Sequence, residues 1–380
     1  MRLTAGGGAD KREGVLRAHR YGRKLDDFTA GAVFEHPWEV TVDEGMLALF
    51  HASFQCALPT YSSKLAARAA GLADRPVHPL WLLNLGISFS VHDVSEQAIA
   101  NLAYIDVRFP NACYAGDTVR ARSRVIGVKP VSSGDKGVVH VQTHLVNERD
   151  ELLCSFERKA LVRAGSAERP ADPKSEATWP AEGEEGPARL PEAMRAALSD
   201  PSRELSRPRF ATAWEDMEPG DVFAHEVGRT VSDAELLQLT TLARNSHPLH
   251  TDEVYCKTGS FAKTRVAYGG LVLSWVLALG SRDTVGNGVW DLGLDDGAHT
   301  GSVLAGDTLF AATKVLSREA WDARTGVVTL RVVGTKNVPP RALLAKGASL
   351  FEAELPKTEG RVPEKVVEIT RRVLVQRRRA

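Results

Sequence analysis

Two kinds of apolar pattern alternate along the chain. The first is unbroken: WLLNLGISFSV from Trp81 and GGLVLSWVLALG from Gly269 are apolar on every side, which predicts helices buried all round. The second has period two. LAYIDVRF, DTVRARSRVIGV, GVVHVQTHLVN and LLCSFERKALV follow the first run, separated by Gly, Asn and Asp. This predicts an antiparallel meander with one face buried. After the second run come SVLAG, DTLFAATKVL, GVVTLRVVGTK and ALLAKGASLFEAEL, read here as the matching strands. Ahead of each helix lies a strand-like segment ending in Thr-Val and a capping residue. These are Thr41-Val42-Asp43-Glu44 and Thr230-Val231-Ser232-Asp233.

The two successions are copies. At a constant offset of 189, Gly31 falls on Gly220, Val33-Phe34 on Val222-Phe223, His36 on His225 and Thr41-Val42 on Thr230-Val231. AGDT at Ala115–Thr118 matches AGDT at Ala305–Thr308 with the offset changed by one. Internal duplication comes before any fold assignment. A long buried helix wrapped by an antiparallel sheet is the α+β arrangement called a hotdog, so the expectation is a double hotdog. Its units are residues 25–164 and 209–376. The stretch 165–208, rich in Pro, Glu, Ala and Ser, is read as a linker unable to supply a core, with PEAMRAALSD as one short helix. Residues 1–24 are basic without an apolar signal core and are read as a disordered extension.

Length and charge narrow the classes. The 380 residues suffice for two cores, and 48 Lys+Arg balance 48 Asp+Glu. Balanced charge argues against a general grip on nucleic acid or anionic membrane. The four cysteines are scattered without metal-ligand spacing, which reads as reduced thiols in a cytoplasmic protein. No P-loop, dinucleotide-binding glycine turn or zinc spacing is found, so neither cofactor nor metal is expected.

The segment Leu242–Gly280 carries the chemistry. Asn245 and His250 flank Pro248 at the end of a predicted helix. This resembles the Asp-x-Asn-Pro-x-His motif of MaoC-like (R)-specific enoyl-CoA hydratases, with Asn245 replacing the family's Asp and His247 its Asn. An amide orients water but takes no proton. A closer resemblance is to double-hotdog mesaconyl-CoA hydratases (β-methylmalyl-CoA dehydratases). It rests on Asn245, His250, Arg265, Tyr268-Gly269-Gly270, His299-Thr300, Thr335-Lys336, both AGDT segments and DVSEQAIANLAYIDVRF at Asp93–Phe109.

The resemblance implies reversible hydration of an acyl-CoA, mesaconyl-CoA first. Alternatives are a broader (R)-specific enoyl-CoA hydratase, a hotdog thioesterase, or a non-catalytic acyl-thioester-binding protein. The expected partner is the acyl-CoA substrate, with room for a homo-oligomer of such protomers. His250 is expected to move the proton, since an imidazole titrates near neutrality, and Asn245 to position water. Gly269 and Gly270, at a helix start, are expected to form the oxyanion hole. Arg265 is the first candidate for a distal carboxylate, with Arg244 and Lys336 behind it. His247, Tyr268 and His299 complete the expected substrate contacts. Asp93 and Asp252 are weighed as substitute bases against helix capping. At the duplication offset Asn245 falls on Cys56 and His250 on Tyr61, so one active site is expected.

Overall fold

The alternating segments hydrogen-bond into a sheet because their apolar faces can be covered only by the two fully apolar helices. The computed structural model describes residues 22–166, 179, 190–354 and 361–378. Its first half contributes β1 (Val33–Thr41), β2 (Ala98–Arg108), β3 (Thr118–Pro130), β4 (Lys136–Asn147) and β5 (Leu152–Arg163). The second contributes β6 (Val222–Ala224), β7 (Arg229–Thr230), β8 (Gly288–His299), β9 (Thr308–Ala320), β10 (Thr325–Lys336) and β11 (Lys365–Gln376). Their order is β1-β3-β4-β5-β2-β8-β11-β10-β9-β6, with β7 also on β9. The order of one half is the mirror of the other about the β2–β8 seam. There the strands run antiparallel, Tyr104 opposite Gly297 and Arg108 opposite Gly293. The architecture is an α+β double hotdog.

The central helices are Pro79–Ser90, buried along its whole length, and Gly269–Ser281, buried at all but two residues. Each large apolar side chain removed from water contributes about 1.5–3 kcal/mol, so these helices anchor the fold. They meet where Asn84 Nδ2 donates to Ser274 Oγ at 2.9 Å. A Cβ on Gly270 would lie 2.3 Å from Asn84 Oδ1; the glycine therefore permits this close helix crossing.

The duplication extends to polar detail. His36 bridges Asp93 (2.9 Å) and Ser123 (2.7 Å), while His225 bridges Asp283 (2.9 Å) and Thr313 (2.9 Å). Asp93 is thus committed to a paired structural contact and does not serve as a base. Asp252 caps the helix Glu253–Gly259, accepting from Tyr255 N at 2.9 Å. Asp106 and Asp296 both have φ 48°.

Two strand assignments are corrected. The counterpart of LAYIDVRF is β8, not SVLAG. β8 is buried at seven consecutive residues, because Leu58 and Tyr61 of the first half pack on its opening residues and Asp291 is paired with Arg371, which erases the alternation. The counterpart of LLCSFERKALV is β11. ALLAKGASLFEAEL instead carries the short helix Pro340–Ala345 and packs in a small cluster with Leu343, Leu350 and Val362.

The linker is also corrected in part. Its helix forms at Glu192–Ser199, but Leu190, Met194 and Leu198 join the main core. An amphipathic turn needs few apolar residues to dock when all lie on one face. Residues 167–178 and 180–189, and the extension up to residue 21, lie outside the described residues.

The seam offers a test. Gly293 has φ 153°, and a Cβ there would lie 2.3 Å from the Val107 carbonyl oxygen. Gly293→Ala is expected to destabilise the fold by ~1–3 kcal/mol, read as a lower denaturation midpoint with unchanged denaturant slope. An unchanged midpoint would show that the seam is not tight.

Candidate active site

The helix Asp233–Leu242 ends because Arg244 enters the left-handed region, with φ 62°. That turn buries Asn245, whose backbone N–H donates to Thr240 O at 3.1 Å. Asn245 Oδ1 then accepts from His247 N at 3.1 Å, leaving the amide NH2 as the donor, directed toward the Tyr268 hydroxyl. Arg244 itself is exposed and does not line the cavity. Its role is to reverse the chain, not to bind substrate.

Pro248 starts the short helix Pro248–Thr251, and His247 is its N-cap. His247 Nδ1 accepts from Leu249 N (3.1 Å), and Nε2 faces the Ala98 carbonyl (3.1 Å) and so carries the proton. Both ring nitrogens are used, and burial lowers its pKa. His250 differs. Its Nδ1 donates to the Val266 carbonyl at 2.8 Å. This fixes the tautomer and leaves Nε2 as a bare lone pair. Burial, with smaller contributions from His247 and His299, pushes its pKa down to about 3. The ring is therefore neutral at physiological pH.

Gly269 opens the second central helix. Tyr268, its N-cap, supplies no side-chain hydrogen bond to the first turn, so the leading amides stay free at the positive end of the helix. Gly269 lines the cavity, but Gly270 does not. The expected glycine pair therefore reduces to one donor at the cavity wall, with Gly270 serving the helix crossing. A Cβ on Gly269 would lie 2.5 Å from His299 Nε2. Tyr268 is buried, and its hydroxyl donates to Asn84 O at 3.2 Å.

These groups converge on one cavity of about 290 Å³. The structure brings Asn245, His247, His250, Tyr268, Gly269 and His299 together from the second half. Sequence reasoning missed what the first half adds. Ser95, Ala100, Asn101, Tyr104 and Arg158 line the same space. Tyr104 OH is 3.0 Å from His299 Nε2. The comparison of copies would have exposed Asn101 and Arg158, had β8 and β11 been matched to β2 and β5.

Two expected cations lie elsewhere. Arg265 does not line the cavity. Its guanidinium is held by both Asp233 oxygens, at 2.9 and 2.7 Å, and approaches Glu253 at 3.6 Å. Lys336 Nζ donates to Ser302 O (2.7 Å) and Asp307 Oδ2 (3.2 Å), which secures a turn. Proximity in sequence to the glycines misled the first assignment, because a side chain leaving an extended segment can turn to either side.

The other end of the molecule is filled. Position by position, His250 corresponds to Tyr61, Ala100 to Trp290 and Asn101 to Asp291. Tyr61 and Trp290 are fully buried and pack at a tilt with ring centres 5.4 Å apart. Asp291 N donates to Tyr61 OH at 3.0 Å. Gly269 and Gly270 correspond to Pro79 and Leu80. Proline has no N–H, and Leu80 N already donates to His78 Nδ1 at 3.2 Å. At that end the His78 ring is packed against Tyr61 with centres 4.6 Å apart, and its Nδ1 is taken up by Leu80 N, so no imidazole lone pair faces open space there.

A family model for mesaconyl-CoA hydratase matches residues 14–338. The chain belongs to the mesaconyl-CoA hydratase family. A β-methylmalyl-CoA dehydratase of Chloroflexus aurantiacus is 31% identical over 320 residues, covering 84% of this chain and 89% of that protein. A mesaconyl-CoA hydratase of Cereibacter sphaeroides is 32% identical over 317 residues, 83% and 90% of the two chains. Among solved structures, a MaoC domain dehydratase from Chloroflexus aurantiacus superposes with TM-score 0.78 at 27% identity, covering 96% of this chain and all of that one. A double-hotdog protein from Mycobacterium tuberculosis reaches TM-score 0.69 at 23% identity, covering 93% and 98%, and shares the fold. Members of the family are hydro-lyases, and in this chain His250 and Gly269 line one cavity. Among the described residues no helix is long and apolar enough to cross a membrane.

The geometry makes a pH prediction. Since His250 has its pKa pushed down to about 3, protonation does not silence it near 6.5. The acid side of kcat/KM is expected to stay level between about pH 8 and about pH 5. A limb centred near 6.5 that disappears in His250→Gln would show that the imidazole is solvated.

Proposed function

We propose that the protein catalyses reversible addition of water to an α,β-unsaturated acyl-CoA, mesaconyl-CoA giving β-methylmalyl-CoA. The observation that carries this reading is the His250 Nε2 lone pair, fixed by the Val266 carbonyl, in the same cavity as Gly269. The substrate class comes from the family and its named relatives.

In hydration, His250 Nε2 takes a proton from water as the oxygen bonds to the β-carbon. The C=C electron pair moves to the thioester oxygen, which gains negative charge. Gly269 N–H and the positive helix end receive that charge, a contribution of about 2.7–4 kcal/mol for one well-placed donor. The enolate then takes the proton from His250 Nε2–H at the α-carbon, restoring the neutral ring. An amide at Asn245 cannot share in this transfer; it donates its NH2 to the water or hydroxyl. One base thus performs both proton movements, so oxygen and hydrogen arrive on the same face. Dehydration is the same path reversed.

His250→Ala is expected to fold normally and to lose turnover by ~10²–10⁴. The readout is mass-spectrometric gain of one water on mesaconyl-CoA. A folded mutant with near-wild-type turnover would reject the assignment. Failure of the wild type to hydrate mesaconyl-CoA or crotonyl-CoA would reject the hydratase reading itself.

A further inference from the structure

The cavity contains one charged group to which this mechanism gives no task. Arg158, on β5, is 2% exposed and lines the cavity. Its Nη2 donates to Ser90 Oγ (2.8 Å) and Ser95 Oγ (3.1 Å), and its Nε has no partner. Among the described residues no carboxylate is paired with it. A buried guanidinium of this kind is rarely left without a counter-ion.

The molecule contains its own comparison. In the sheet register Arg158 lies opposite Tyr104, and Asn101 opposite Ala160, two residues further along β5. In the other half Arg371 lies opposite Leu294, and Asp291 opposite Val373, again two residues further on. Arg158 and Arg371 are therefore the same position of the repeated unit, as are Asn101 and Asp291. In the filled end Arg371 is neutralised by a two-pronged pair with Asp291, at 2.6 and 2.9 Å. In the open end the carboxylate is replaced by the Asn101 amide, whose Oδ1 is buried without a partner.

We propose that Arg158 is the specificity-determining residue that binds the distal carboxylate of the acyl group, taking the place that Asp291 occupies against Arg371. This deepens the reading given above and rests on it. In mesaconyl-CoA the carboxylate is attached directly to the carbon that receives the hydroxyl. A guanidinium there fixes the β-carbon relative to His250 through two parallel hydrogen bonds. It also satisfies a cation that an unsubstituted enoyl chain would leave buried and unpaired. Arg158 comes from the half that lacks the base, so recognition and chemistry are supplied by different copies of the duplicated unit.

Two substitutions test this. Arg158→Met removes the charge while keeping an apolar side chain of similar length, a change that buried charges tolerate well. Asn101→Asp supplies the internal carboxylate found at the other end. Each is expected to lower the ratio of kcat/KM on mesaconyl-CoA to that on crotonyl-CoA by ~10²-fold or more, while Arg158→Lys retains an intermediate ratio. Equal losses on both substrates in Arg158→Met would overturn the proposal. A readout free of turnover is calorimetric binding of succinyl-CoA against butyryl-CoA. Wild type is expected to prefer succinyl-CoA, and both variants to lose the preference; a preference surviving in Arg158→Met would also overturn it. If the wild type hydrates nothing yet shows this binding difference, the hydratase reading fails and the carboxylate site stands.

Discussion

The antiparallel pairing of β2 with β8 is the contact on which the rest of this molecule depends. Each strand would otherwise end its half-sheet with unpaired N–H and C=O groups. Joined, they make one sheet around two helices. The seam sets the start of each central helix against the β2 and β5 strands, or their equivalents, of the other half. Gly269, at the start of the second helix, therefore shares a cavity with Asn101, Tyr104 and Arg158. Neither half contains a complete site. Gly293 and the matched left-handed residues Asp106 and Asp296 let the strands bend where they meet.

Duplication then allowed the two ends to diverge. One is closed by large and mutually satisfied groups: Tyr61 and Trp290 in contact, and Arg371 paired with Asp291. Such a closed ion pair adds little net stability over apolar packing, but it is expensive to break singly. The other end keeps small residues and unpaired ones. Ala100 leaves space, and the Asn101 Oδ1 and Arg158 Nε have no protein partners. His250 shows the same economy, with one nitrogen fixed and the other free. A site poised for a ligand is legible as a set of polar groups whose counterparts elsewhere in the same molecule are satisfied.

The sequence by itself determined much of this. Period-two segments after two wholly apolar helices, repeated in register, implied two hotdog units. Asn245, Pro248 and His250, followed by Tyr268-Gly269-Gly270, pointed to the segment from which Asn245, His250, Tyr268 and Gly269 reach one cavity, and Cys56 and Tyr61 at the matching positions raised the expectation of a single site. These features depend on local spacing or on residue identity, which a linear reading retains. What only the tertiary structure decided depends on which surfaces meet. β8 carries no alternation because Tyr61 and Arg371 fill the space around its opening residues, so its match to β2, and that of β11 to β5, was hidden; with them went the correspondence of Arg158 with Arg371 and of Asn101 with Asp291. Arg265 and Lys336 sit near the motifs in sequence, but Asp233 and Asp307 draw their charges away from the cavity. Arg158, more than eighty residues from His250 along the chain, reaches the same cavity because antiparallel pairing across the seam converts distance along the chain into contact.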